Sequence, residues 1–113
     1  MDELVKNEIL GDLYAYYGKL LTKNQQDYFE DYYYNDLSLG EIALNHQVSR
    51  QAVYDNLRRC RKLLTNYEEK LHMQRDYNDI EQKLTKISVT IKENQQACAL
   101  SQIEKLLSKM RGE

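Results

Sequence analysis

The sequence predicts an all-α protein: a helical bundle that carries a helix-turn-helix and continues into a helical C-terminal extension. Three observations lead there. The 113 residues contain no proline and only four glycines, while Leu, Lys, Gln and Glu are plentiful, so little interrupts a helix. Apolar residues recur at steps of three and four along most of the chain. Two capping boxes, Thr22 with Gln25 and Ser38 with Glu41, mark helix starts at the residue level.

Taken in order, Val5, Ile9, Leu13, Tyr17 and Leu20 lie on one stripe and predict a first helix over about 3–17, which Gly18 would close in a left-handed conformation. Thr22 opens a second helix over 23–34, where Tyr28, Phe29, Tyr32 and Tyr33 form an aromatic stripe. Ten of the eleven aromatic residues are tyrosines. Spacing at i, i+4 favours helix packing or a partner interface for them over a platform for stacking bases. Ser38 caps a short third helix over 38–45. Ser49 caps a fourth over 49–73, in which Val53, Leu57, Cys60 and Leu64 face inward.

The third and fourth helices are separated by about three residues, which is helix-turn-helix spacing. Ala43 is small where two helices cross, and Ile42, Val48, Val53 and Leu57 suit the pocket between them. Opposite the inward stripe of the fourth helix lie Gln51, Asp55, Arg58 and Lys62, flanked by Arg50, Tyr54, Arg59 and Arg61. These types fit a major groove: glutamine pairs with adenine, arginine with guanine, and aspartate accepts from a cytosine amino group. The run Arg58-Arg59-Cys60-Arg61-Lys62 would meet phosphates and set register. Candidate DNA-binding residues are therefore Ser49, Arg50, Gln51, Tyr54, Asp55, Arg58, Arg59, Arg61 and Lys62. Asp55 would repel phosphate unless it pairs with Arg58 or Arg59 or meets a cytosine.

The formal charge of −2 conceals a segregation. Residues 46–75 sum to +4, whereas 23–45 sum to −4 and 76–113 to zero. The basic excess falls on the candidate groove reader, and the acidic flank should keep nonspecific binding weak.

Several classes are excluded. The start of the chain lacks the basic segment and apolar run of a signal peptide, and no stretch approaches the ~20 apolar residues that span a bilayer. A cytoplasmic protein without membrane insertion is expected. Cys60 and Cys98 stand 38 residues apart, which suggests two reduced thiols packed as small hydrophobes and no metal pair. There is no phosphate loop, nucleophile–base arrangement or ligand cluster, so neither an enzyme nor a cofactor is expected.

Residues 21–64 resemble region 4 of sigma-70-type sigma factors. The resemblance is carried by Leu21-Thr22-Lys23-Asn24-Gln25-Gln26 through Tyr33, Leu37-Ser38-Leu39-Gly40-Glu41-Ile42-Ala43, Val48-Ser49-Arg50-Gln51-Ala52-Val53 and Leu57 to Leu63. With the Tyr-rich first helix, Ala52-Val53-Tyr54-Asp55-Asn56 and the run Asn66 to Leu71, the whole chain is similar to the YlxM family of Gram-positive bacteria and mollicutes. The resemblance implies an all-α fold, a DNA-binding regulatory role and a link to the signal recognition particle pathway, because the genes lie beside those of its GTPases. Two turn positions depart from the sigma pattern. His46 and Gln47 stand where leucine and glycine are usual; a left-handed Gln47 would cost about 1 kcal/mol, and Leu44 would supply the missing apolar contact. His46 then reads as a partly buried turn residue.

Beyond a phase shift near Met73, Tyr77, Ile80, Leu84, Ile87 and Ile91 form a two-heptad seam, and Ala99, Ile103, Leu106 and Met110 a last stripe. The division expected is a helix-turn-helix domain over 1–75 and a dimerisation or docking extension over 76–113. Two functions compete: a DNA-binding regulator acting as a homodimer on duplex DNA, and an adaptor that binds the signal recognition particle protein or RNA without sequence-specific DNA recognition.

Overall fold

Helix-forming residues without proline give helices wherever a cap allows one to start. The computed structural model describes residues 8–113, and these form α1 (Glu8–Tyr17), a 3-10 turn (Gly18–Leu20), α2 (Lys23–Tyr33), α3 (Leu39–His46), α4 (Arg50–Leu71), α5 (Met73–Lys92) and α6 (Gln96–Met110), with no strand among them. The start of the first predicted helix, Val5 included, lies outside the described residues. The chain divides into two compact units, one ending at Gln74 and one spanning Arg75–Glu113.

In the first unit, α4 packs against α1, α2 and α3. One core cluster joins Leu10, Leu13 and Tyr17 of α1 to Phe29 of α2 and to Cys60 and Leu64 of α4. The other joins Tyr28 to Ile42, Ala43, Val53 and Leu57 and so seats the helix-turn-helix on α2. Burying each large apolar side chain in these clusters contributes roughly 1.5–3 kcal/mol. The inward stripe of α1 differs from the expected one. Leu13 and Tyr17 are buried as expected, but Leu10 is buried in place of Ile9, which is 63% exposed, and Leu20 in the 3-10 turn is 57% exposed.

Gly18 does not close α1 in a left-handed conformation, since Gly112 is the only described glycine with positive φ. It begins the 3-10 turn, and its requirement is space: a Cβ there would lie 2.9 Å from the ring of Tyr14. That ring is occupied. Tyr14 stacks on Phe29 at 4.4 Å and 7°, and Phe29 stacks on Tyr33 at 4.3 Å and 22°, a three-ring pile that gives Tyr14 and Tyr33 packing roles, whereas Tyr34 and Tyr77 are more than half exposed. Burial pushes the Tyr33 phenol up to about 12 and raises those of Tyr14, Tyr17 and Tyr34 as well.

Helix α4 stops at His72, which adopts φ 56°. The next turn is held from two sides. The Tyr17 hydroxyl donates to Glu68 Oε1 at 2.7 Å and accepts from the Met73 amide at 3.0 Å, while the same Glu68 oxygen accepts from the Gln74 amide at 2.9 Å. Two amides of the first turn of α5, which have no intrahelical partner, are thus satisfied by side chains of α1 and α4.

The second unit is an antiparallel hairpin of α5 and α6. Asn94 at φ 59° makes the turn, with amide bonds from Gln95 to Thr90 and from Asn94 to Ile91 that close the end of α5. Ile87, Ala99 and Leu106 are buried between the helices with Ile80 against them. Asp79 holds both Lys109, at 2.6 Å, and Lys83, at 3.0 Å. The expected single seam divides: Ile80 and Ile87 turn inward with Thr90, but Leu84 and Ile91 are exposed, as is Met110 of the last stripe. A hairpin of two helices needs only one narrow stripe from each, and the remaining apolar residues stay outside it.

Candidate nucleic-acid interface

The helix-turn-helix is built from local capping. Ser38 Oγ accepts from the Glu41 amide and Glu41 Oε1 accepts from the Ser38 amide, both at 3.1 Å, which starts α3 and lowers the Glu41 carboxyl below its ordinary range. Ser49 Oγ accepts from the Ala52 amide at 3.0 Å and starts α4. Between them Gln47 takes φ 56° and ψ 44°, so the standard left-handed turn forms although glutamine stands where glycine is favoured. Its amide bonds to Leu44 and the Val48 amide reaches the Ala43 carbonyl, a Schellman closure that fixes where α4 begins.

His46 anchors this corner. Its Nε2 lies 3.2 Å from Asp31 Oδ2, and its ring stands edge-on to Tyr28 at 4.5 Å, so it is the partly buried turn residue expected. Leu44, in contrast, does not supply the missing apolar contact: it is 81% exposed. Val48 also stays largely outside the pocket, which Tyr28, Ile42, Ala43, Val53 and Leu57 fill, with Leu37 and Leu39 against them.

The outer side of α4 presents Arg50, Gln51, Asp55, Arg58, Arg59, Arg61 and Lys62, all exposed, and Ser49 is exposed at its start. Gln51, Asp55, Arg58 and Lys62 form one stripe about 17 Å long at 1.5 Å per residue, with Arg59 on one flank and Arg50 and Arg61 on the other. Asp55 accepts from Gln51 Nε2 at 3.0 Å, an i, i+4 pair that orients the glutamine amide. Tyr54 needs correction as a contact residue. It is 7% exposed, so its ring packs at the rim of the core and cannot stack on or read a base without moving.

Cys60 is buried beneath the basic run, with Sγ 3.5 Å from Asn56 Oδ1, and burial pushes its thiol up to about 11. Cys98, on α6, is exposed and so is not a packed hydrophobe. Among the described residues, no group of three His, Cys, Asp or Glu side chains is placed to hold a metal, and no helix is long and apolar enough to cross a membrane.

Two contacts at this site were not readable from sequence. The His46–Asp31 pair joins residues fifteen apart on different helices, and Tyr17–Glu68 joins residues fifty-one apart. Neither has a spacing signal.

Comparison with known proteins places this geometry in a family. The family model described as "Putative helix-turn-helix protein, YlxM / p13 like" matches residues 4–107. The chain is 47% identical over 92 residues to a UPF0122 protein of Limosilactobacillus reuteri, covering 81% of each. It is 53% identical over 75 residues to UPF0122 proteins of Latilactobacillus sakei and Streptococcus suis, covering 66% of each chain. The chain therefore belongs to the UPF0122 family of YlxM/p13-like helix-turn-helix proteins.

Proposed function

We propose that the protein is a cytoplasmic DNA-binding regulator, not an enzyme, which lays the outer face of α4 in the major groove of duplex DNA. The observation that carries this reading is the exposed stripe Gln51–Asp55–Arg58–Lys62, with Arg50, Arg59 and Arg61 beside it, on a helix whose start is fixed by a closed helix-turn-helix corner. Gln51 and Asp55 act as a hydrogen-bonded pair at the base edges. Arg58 reaches a guanine or phosphate, and Arg50, Arg59, Arg61 and Lys62 neutralise the backbone. The Ser49 hydroxyl, already accepting from Ala52, retains its own proton to donate to a phosphate. Two copies acting together would double these contacts and offset the acidic flank.

Binding to duplex DNA should weaken steeply with salt, and the Arg58→Ala/Arg59→Ala variant should flatten the log–log salt slope by about two units. Absence of salt-sensitive binding to any duplex, including DNA from the protein's own operon, defeats the proposal. The adaptor reading, in which the basic run meets the signal recognition particle RNA or protein, rests on family resemblance. It predicts that particle RNA competes with duplex DNA for the same arginines, and a competition titration separates the two.

A further inference from the structure

The C-terminal hairpin has two unlike faces. On both helices a set of outward apolar residues follows inward-packed ones by one or four positions: Leu84 after Ile80, Ile91 after Ile87, Leu100 and Ile103 after Ala99, and Leu107 and Met110 after Leu106; exposed Val89 lies off this stripe. A step of one or four turns a side chain by about 40–100° in a fixed sense around its own axis. Because α5 and α6 run antiparallel, that shared sense brings both stripes to the same face. Rotation the other way brings Lys83 and Lys86 together with Gln102 and Lys105, and those four line one groove of about 300 Å³ on the opposite side.

We infer that the apolar face formed by Leu84 and Ile91 of α5 with Leu100, Ile103, Leu107 and Met110 of α6 is the surface across which two copies of this chain pair. It names the surface for the two-copy part of the proposal above. Each of the six residues is between 36% and 59% exposed. Together they expose the equivalent of about three large side chains, roughly 500 Å² at ~170 Å² apiece. That is in the range of roughly 300–600 Å² of the largest apolar patch on a typical monomer, a patch that often serves a function, and two such faces closing on each other remove about 1,000 Å², the lower limit for a specific interface before any rim is counted.

Charge selects a second copy over an acidic or basic partner. The exposed charges flanking the apolar stripes are Glu81 and Lys92 on α5, Glu104 on α6 and Arg111 just after its end, two of each sign. A neutral, mixed border complements itself under a two-fold axis and offers nothing to a strongly charged protein. The opposite face, with Lys86 and Lys105 beside the Asp79-paired Lys83, would repel its own copy. Two hairpins joined by their apolar faces make a four-helix bundle, in which the stripes excluded from each hairpin's own core become the core of the pair.

The test is light scattering on the full chain after size exclusion, from 5 to 100 µM without DNA, so that its failure leaves the reading of α4 standing. The wild type should run at twice the 13.5 kDa chain mass. Leu84→Glu/Leu107→Glu should be monomeric with wild-type helicity, and Lys86→Glu/Lys105→Glu on the opposite face should remain dimeric. Should the glutamate variant lose helicity, the milder Leu100→Gln/Met110→Gln should raise the dimer Kd at least tenfold while staying helical. A wild type that is monomeric at 100 µM overturns the inference and assigns the face to another occupant. A dimer whose Kd is unmoved by either apolar-face variant overturns it equally.

Discussion

Replacing Tyr17 by phenylalanine keeps the ring in the core and removes one oxygen. That oxygen makes two bonds, a 2.7 Å donation to Glu68 and a 3.0 Å acceptance from the Met73 amide, at a residue 1% exposed. A neutral hydrogen bond contributes about 1 kcal/mol net and one to a charged acceptor about 1.5–3 kcal/mol. Water can reach the Glu68 side of this partly buried cluster, and Glu68 keeps the Gln74 amide, so the loss should be about 2 kcal/mol. For a unit of this size that lowers Tm by roughly 8–16 °C. The assay is urea and thermal unfolding followed by helical circular dichroism, for Tyr17→Phe, Glu68→Ala and the double variant. If the two side chains act as one clamp on the start of α5, the double variant should cost about 1 kcal/mol less than the sum of the singles. A Tyr17→Phe change below about 0.3 kcal/mol, or losses that simply add, would refute the clamp.

Three further expectations come from the same coordinates. Gln47→Gly should stabilise the protein by about 0.5–1 kcal/mol in urea unfolding, since φ 56° favours glycine; a loss would mean the glutamine side chain is needed at the corner. Stability should be level up to about pH 8 and then fall, first as the thiol of Cys60 ionises in the unfolded chain at about 8.5 and further above about pH 10 as the unfolded tyrosines ionise. The phenols of Tyr14, Tyr17, Tyr33 and Tyr34 and the Cys60 thiol all have raised pKa values, so the unfolded chain releases those protons first and is favoured as pH climbs through the folded values, about 11 for Cys60 and about 12 for Tyr33. Flat stability to pH 12 would contradict that burial. A thiol reagent should modify one cysteine per native chain, Cys98, and reach Cys60 only on unfolding; two fast equivalents would contradict the packing beneath α4.

What could be read from sequence was what is local. The boxes at Thr22–Gln25 and Ser38–Glu41 and the cap at Ser49 each depend on residues within a few positions, and the structure has all of them. Helical projection also placed Val53, Leu57, Cys60 and Leu64 inward. It failed at borders. Tyr54 lies about 60° from the centre of the outer stripe, where ring size and neighbouring helices decide burial, and they bury it. Ile9 and Leu44 are apolar residues left outside because the helix beside them offered no partner surface. In α5 a seam of alternating threes and fours contains two possible faces, and only the position of Ala99 and Leu106 shows that Ile80 and Ile87 turn inward while Leu84 and Ile91 do not. Contacts such as Tyr17–Glu68 join distant residues and have no pattern to find.

The family and the geometry both direct attention to α4. The most direct measurement is NMR shift mapping of the labelled protein on addition of a 20-bp duplex at low salt. The account predicts perturbations concentrated at residues 49–62, largest at Arg50, Gln51, Asp55 and Arg58, with the buried Tyr54 side chain little changed. Perturbations confined to α5 and α6, or none at all, would contradict it.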